Sequence, residues 1–295
     1  PMINFRYHVV SIIGIFIALA VGVVLGAGPL QRSINAGMNP SSSQAASDPV
    51  LSAQAEAEAA SLKALASSTL AGSLTGTSVA LVVLPGASDD DVAAIRSTLT
   101  DAGASVVGRV TLTDNWQSTS MSQYRTTLAT TLASHLESGA AKTASADGVV
   151  GYSIVQVLTS TGAETDLLRQ ILTDKSTPLM TIDEDPAGKA TTVVAVGARA
   201  QAATSTQAAV AASSDAWIGL GLAVGSTSGV VVGDASSREA MISQIRTSGT
   251  AVTTVDSVGT TLASVDTALA LSTASNGARA YGVGNGAQSV IPSIK

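Results

Sequence analysis

The chain has 295 residues, a formal net charge of −6, 45% apolar and 12% charged residues, and no cysteine. The missing thiols exclude disulfides, thiolate catalysis and Cys-based zinc sites, and the lack of a Lys/Arg run argues against nucleic acid. The apolar residues are periodically placed, so this is not the composition of a disordered chain.

In chain order, the first feature is an apolar run from Val9 to Gly28, VVSIIGIFIALAVGVVLGAG, with Ser11 as its only polar side chain. At about 1.5 Å rise per residue such a run matches the roughly 30 Å hydrocarbon core of a bilayer. Arg6, Tyr7 and His8 precede it, where an anchoring charge and an amphipathic ring belong. The run exceeds a signal-peptide apolar region in length, and it is apolar on every face, unlike a helix packed at a surface. The expectation is an uncleaved single-pass anchor in the cell membrane over 9–28. It has a short cytoplasmic N-terminus over 1–8 and the C-terminal domain outside the cytoplasm. Gly22 and Gly26 form a G-x-x-x-G spacing that lets two membrane helices approach closely, which suggests a homodimer contact.

A linker and helical spacer is expected over 29–76. Asn39-Pro40-Ser41 reads as a turn, and Leu51, Ala55, Glu58, Leu62 and Leu65 fall on a short heptad-like seam. Glu58 interrupts that seam.

Residues 77–295 read as an extracytoplasmic α/β domain. Val79–Leu84 is a buried parallel strand in pattern, closed by Pro85-Gly86. Ser88 with Asp91 predicts a capping box, and Val92, Ile95 and Leu99 form the apolar face of the helix that follows. Ala104–Leu112 is a second strand. Met121, Tyr124, Leu128, Leu132 and Leu136 mark one helical face, and 149–158 and 164–172 are also helical in pattern. Strands are predicted at 191–196, 229–232 and 251–255, and helices at 207–224, 237–247 and 260–271. This alternation predicts a Rossmann-like, mostly parallel sheet with helices on both faces.

Ligands of open α/β sheets bind at the carboxyl ends of strands. The low-specificity candidates there are Ser88, Asp234 and Asp256, with Asp89, Asp114 and Asn115 as further polar residues. Each is also an ordinary helix-cap or turn residue. The G-x-G of Gly282-Val283-Gly284 lies in the tail, without an evident preceding strand and following helix. No catalytic, cofactor-binding or metal-ligating set is expected. Histidine occurs only at His8 and His135, and Met121 and Met241 read as core residues.

The opening MINFRYHVVSIIGIFIALAVGVVLGAGPL resembles the start of the actinobacterial MctB-like family of copper transport outer membrane proteins. VALVVLPGAS, VVVGDASS, TVDSVGTTLASVDTALAL and YGVGNGAQSVIPS resemble later parts of that family in order and spacing. The resemblance implies a role in copper transport or efflux across the envelope; a copper ion as ligand rests on that resemblance alone, and outer-membrane placement rests on the family's name alone. Relatives of the SteB type imply an alternative: a non-enzymatic dimeric scaffold acting with a SteA-like membrane partner in septal cell-wall remodelling and cell division. A degenerate α/β enzyme is a further alternative, and it would require a cleft lined by Ser88, Asp234 or Asp256. A single membrane helix lines no channel without oligomerising, and an α/β body supplies no barrel.

Overall fold

The structure is a computed structural model that describes residues 49–200, 211–274 and 277–293. The apolar run 9–28, and with it Arg6, Tyr7, His8, Gly22 and Gly26, lies outside the described residues. Among the described residues no helix is long and apolar enough to cross a membrane. The chain divides into two compact units, Pro1–Glu56 and Ala57–Lys295, and the description below concerns the second.

Seven strands form one sheet: β1 (Ser78–Val83), β2 (Ser105–Leu112), β3 (Met180–Glu184), β4 (Thr192–Val196), β5 (Val230–Val232), β6 (Thr253–Val255) and β7 (Ala280–Tyr281). Their order is β3-β2-β1-β4-β5-β6-β7. Every pairing is parallel except β2 with β3. The Rossmann-like expectation is met, with β3 as an antiparallel edge. The sequence does not announce β3, because Thr181, Asp183 and Glu184 make MTIDE too polar for a buried strand. An edge strand has one open side and tolerates such residues.

Alternation along the strands sorts the core into two layers. Ala80, Val82, Val110, Leu112, Val193, Ala195 and Val231 point to one face. That face is covered by α4 (Ser122–His135), α6 (Ala146–Thr159), α7 (Ala163–Leu172), α8 (Ser214–Ser226) and α9 (Met241–Thr247). Val79, Leu81, Val83, Val194, Val196, Val230, Val232 and Val255 point to the other. That second face meets the end of α1 (Pro49–Leu70), α2 (Asp89–Asp101) and α10 (Thr261–Ser272). The short helices α3 (Asp114–Gln117) and α5 (Gly139–Lys142) complete the set.

Helices α6 and α8 cross closely. A Cβ on Gly151 would lie 2.5 Å from the Gly219 carbonyl oxygen, and one on Gly219 would lie 2.4 Å from the Asp147 backbone. Only glycine at both positions lets the two helices, each apolar on most of its surface, come this near.

Several expected elements differ in detail. Of the helix expected over 207–224, residues 207–210 lie outside the described residues; the described helix begins at Ser214, after an extended Ser213 and an Ala212 that bridges antiparallel to Ser118. The helix expected from Ser237 begins at Met241. The heptad-like seam also changes meaning. Within the second unit α1 packs through half-buried Leu62 and buried Ala66 and Leu70, whereas Leu65 is 68% exposed. A three-four spacing fits a helix laid on a domain as well as a coiled coil, so the spacing alone could not choose.

Candidate functional site

The carboxyl ends of β5, β6 and β7 open onto a crevice of about 650 Å³ lined by Asp234, Ser236, Asp256, Ser257 and the tail residues Val283–Gly286. Asp234 follows β5, and Asp256 follows β6. Two of the three strand-end residues singled out in the sequence therefore meet in one place. Ser88 does not join them. It occupies the N-cap position of α2 but makes no side-chain cap bond, so the expected capping box is absent. Asp91 instead accepts bonds from Arg199 Nε at 2.7 Å and Nη2 at 2.5 Å. A guanidinium offers two parallel donors to the carboxylate, which outbids a single backbone N–H.

That same ion pair spans the topological switch point between β1 and β4. The loops leaving these strands close on each other there: a Cβ on Gly86 would lie 3.3 Å from the Ala198 Cβ.

The centre of the crevice is Asp256, 1% exposed. Its carboxylate accepts from Val283 N and Gly284 N, each at 2.9 Å, from Ser257 Oγ at 2.7 Å, and from Arg246 Nη1 at 2.9 Å. Burial pushes this carboxyl up, but the bonds from Ser257, the two tail amides and Arg246 outweigh it and hold the group below its ordinary value. Successive N–H groups in a glycine-bearing turn make an anion nest. Here the nest of the G-V-G tail is filled by the protein's own Asp256. Gly282 is required at this point: its φ is +122°, and a Cβ would lie 2.2 Å from Asp256 Oδ1.

The tail does follow a strand, contrary to the expectation, because β7 immediately precedes Gly282. Two residues, Ala280 and Tyr281, are too few to read as a strand from pattern. Arg246 fastens the same segment. It donates to Tyr281 O and Asn285 O at 2.8 Å each and to Thr254 Oγ1 at 3.0 Å. Burial lowers the Arg246 value despite its bond to Asp256.

Asp234 is a turn residue that accepts from Ser236 N at 2.8 Å and Ser236 Oγ at 3.0 Å. Ser257 holds φ at +62°, a conformation costly for a side-chain-bearing residue. Its hydroxyl donates to a carboxylate whose basicity is depressed, and such a carboxylate is a poor general base for activating it.

Away from the crevice, Asn115 donates to Pro178 O at 3.2 Å, and Asp114 opens α3. His135 ends α4 with Nδ1 at 2.5 Å from Glu164 Oε2. Met241 is buried, while Met121 is half-buried. Among the described residues no group of three or more His, Cys, Asp or Glu could hold a metal ion.

Sequence reasoning missed Arg199, Arg246 and Asp266. Asp266 lies on α10, 0% exposed, and neither of its carboxylate oxygens has a hydrogen-bond partner among the described residues. The available signal was a lone acid inside the apolar stretch VDTALAL.

The fold and site thus define a doubly wound α/β domain whose strand-end crevice is walled on one side by its own C-terminal segment. The family model described as "Copper transport outer membrane protein, MctB" matches residues 2–292, and the chain belongs to that family. It is 32% identical over 123 residues to proteins named "Copper transporter MctB" from Mycobacterium tuberculosis (strains H37Rv and CDC 1551 / Oshkosh) and from Mycobacterium bovis. The match covers 39% of this chain and 39% of each of those relatives.

Proposed function

We propose that this chain serves copper transport or efflux across the cell envelope as a membrane-anchored, extracytoplasmic and non-enzymatic scaffold. In this reading the run 9–28 is the anchor, and the α/β body recruits other envelope components instead of lining a pore or holding the metal. Membership of the copper transport family supports the process. The scaffold role draws on one observation: the Asp256 carboxylate at the centre of the crevice is saturated by Arg246, Ser257 and the Val283 and Gly284 amides. A carboxylate held in this way is a structural element, neither a free base nor an open ligand.

The test is deletion of the gene, followed by measurement of cell-associated copper and growth in added copper. Raised copper content and copper sensitivity, both restored by the full-length chain, are the expected results. Unchanged copper content and tolerance would sink the reading.

A second reading is a homodimer acting with a SteA-like membrane partner in septal wall remodelling. Leu51 and Leu65 favour it, since they are 64% and 68% exposed and lie two heptads apart on α1, a spacing that suits a helix partner. Normal copper handling together with misplaced or thickened septa in the deletion strain would select it. Crosslinking of full-length Leu65→Cys in membranes tests the dimer.

A further inference from the structure

The strand β7 and the tail beyond it form one wall of the crevice. Gln288 N donates to Ala280 O at 2.8 Å and Gly282 N to Ser289 O at 3.0 Å, so residues 280–289 fold back on themselves as a strap. The strap is fixed to the body by few contacts. These are the short pairing of β7 with β6, the two amides on Asp256, the Arg246 bonds, and Asn285 N to Ala235 O at 3.0 Å.

Asp266 lies on α10, whose residues Val265 and Leu269 share one apolar cluster with Tyr281 of β7. It is fully buried and without a hydrogen-bond partner among the described residues. A buried carboxylate in that state costs far more than a buried neutral acid. The end of β6 presents Asp256, a like charge, and Tyr281 of β7 is close enough to feel the Asp266 charge. Arg246 of α9 is already engaged by Asp256, and Arg279 flanks Tyr281. From α2, which packs along α10, the one buried charge is Asp91, matched by Arg199. Lys63 of α1 lies with Asp91 in a groove of about 180 Å³ beside the start of α10. No cation in this set is bonded to Asp266.

We propose that residues 280–289 are a proton-gated strap, docked as one wall of the crevice while Asp266 is a neutral acid and loosened when Asp266 ionises. Ionised Asp266 needs water. β5 and β6, against which α10 packs, lie inside the sheet, whereas β7 is a two-residue edge strand, and lifting the strap opens a route for water. Lifting it also removes Val283–Gly286 from the wall of the crevice and frees the anion nest that Asp256 occupies.

The pH window follows from the group itself. Burial first, and the charge of Asp256 second, push Asp266 up to about 7. In the opened state it returns toward about 3.9, the value of a hydrated aspartate. The closed form therefore holds a proton that the open form releases between those values. The stabilisation of the closed strap is complete below about pH 4 and is lost as pH rises to about 7.

The test is hydrogen exchange of the full-length protein in detergent micelles, read on peptides covering 280–289 and corrected for the intrinsic pH dependence of exchange. Protection at the Val283 and Gly284 amides should fall about tenfold from pH 6 to pH 8 and level off above that. In Asp266→Asn the same amides should keep constant protection across that range. A wild-type profile flat from pH 6 to 8, or an unchanged fall in Asp266→Asn, overturns the proposal. The wild-type profile decides the question by itself if the variant does not fold.

Discussion

At the β3 edge of the sheet the charges face outward. Arg96 pairs with Glu184, Arg109 with Asp89 and Asp183, and Arg169 with Asp185 at 2.7 Å, with at least one member of each pair substantially exposed. At the β7 edge the pairing is internal: Arg246 and Asp256 have side chains only 7% and 1% exposed, and between them they hold the tail that covers the edge. Both arrangements keep an edge from pairing with a second chain. They differ in what happens when one partner is removed. Exposed pairs are screened by water and contribute little, whereas removing one member of a buried pair strands the other charge away from solvent.

The largest expected effect breaks the inner edge. Arg246→Ala leaves Asp256 buried and short of a partner and removes the donors to Tyr281 O and Asn285 O. It should cost about 3–5 kcal/mol in chemical denaturation of the full-length protein. A loss below about 1 kcal/mol would mean that the two edges are alike.

Gly282→Ala attacks the same edge through the backbone. It places a Cβ against the Asp256 carboxylate at a φ of +122°. A cost of about 2–3 kcal/mol is expected, together with faster proteolysis near the C-terminus. Unchanged proteolysis would show that the tail does not depend on this close approach.

Arg169→Ala sharpens the comparison from the outer edge. Hydrogen bonding to Asp185 raises the Arg169 value and burial opposes it, yet the pair is largely solvated. The loss should stay at or below about 1 kcal/mol and shrink further in high salt. A loss comparable to that of Arg246→Ala would contradict the argument.

The smallest effect lies at neither edge. Ser228, between α8 and β5, is exposed at φ +53°. Ser228→Gly should raise stability by up to about 1 kcal/mol by relieving that conformation. No change in the denaturation midpoint would show that the local strain is already offset.

Much of this architecture was legible because local rules and the global fold agree. VALVVL and TTVVAV are too short and too β-branched for helices and too apolar for surface strands, so they belong to the middle of a parallel sheet, where β1 and β4 lie. Thr260 was read as the start of a helix, and its side chain caps α10 through the Ala263 amide at 3.2 Å. The candidate site was legible in part. Asp234 stands out one residue after the apolar strand β5 and Asp256 directly after β6, and parallel pairing brings the carboxyl ends of these strands to one edge of the sheet. What failed was local reasoning applied to short or polar segments. β3 and β7 exist through their neighbours: five residues of MTIDE and two of AY have no pattern of their own. The apolar N-terminal run was equally plain in the sequence, but it lies outside the described residues.

The sequence by itself therefore determined the class of fold, the succession of its main strands along the chain and the positions of two carboxylates at strand ends, because these depend on side-chain periodicity along a few neighbouring residues. Only the tertiary structure decided what those carboxylates do. Asp256 is bonded to amides 27 and 28 residues further on, and Asp91 to an arginine 108 residues away. Asp266 gains its burial from elements brought together only by folding. Ionisation and hydrogen bonding depend on the dielectric and the partners at a point in space, and chain spacing does not encode that point.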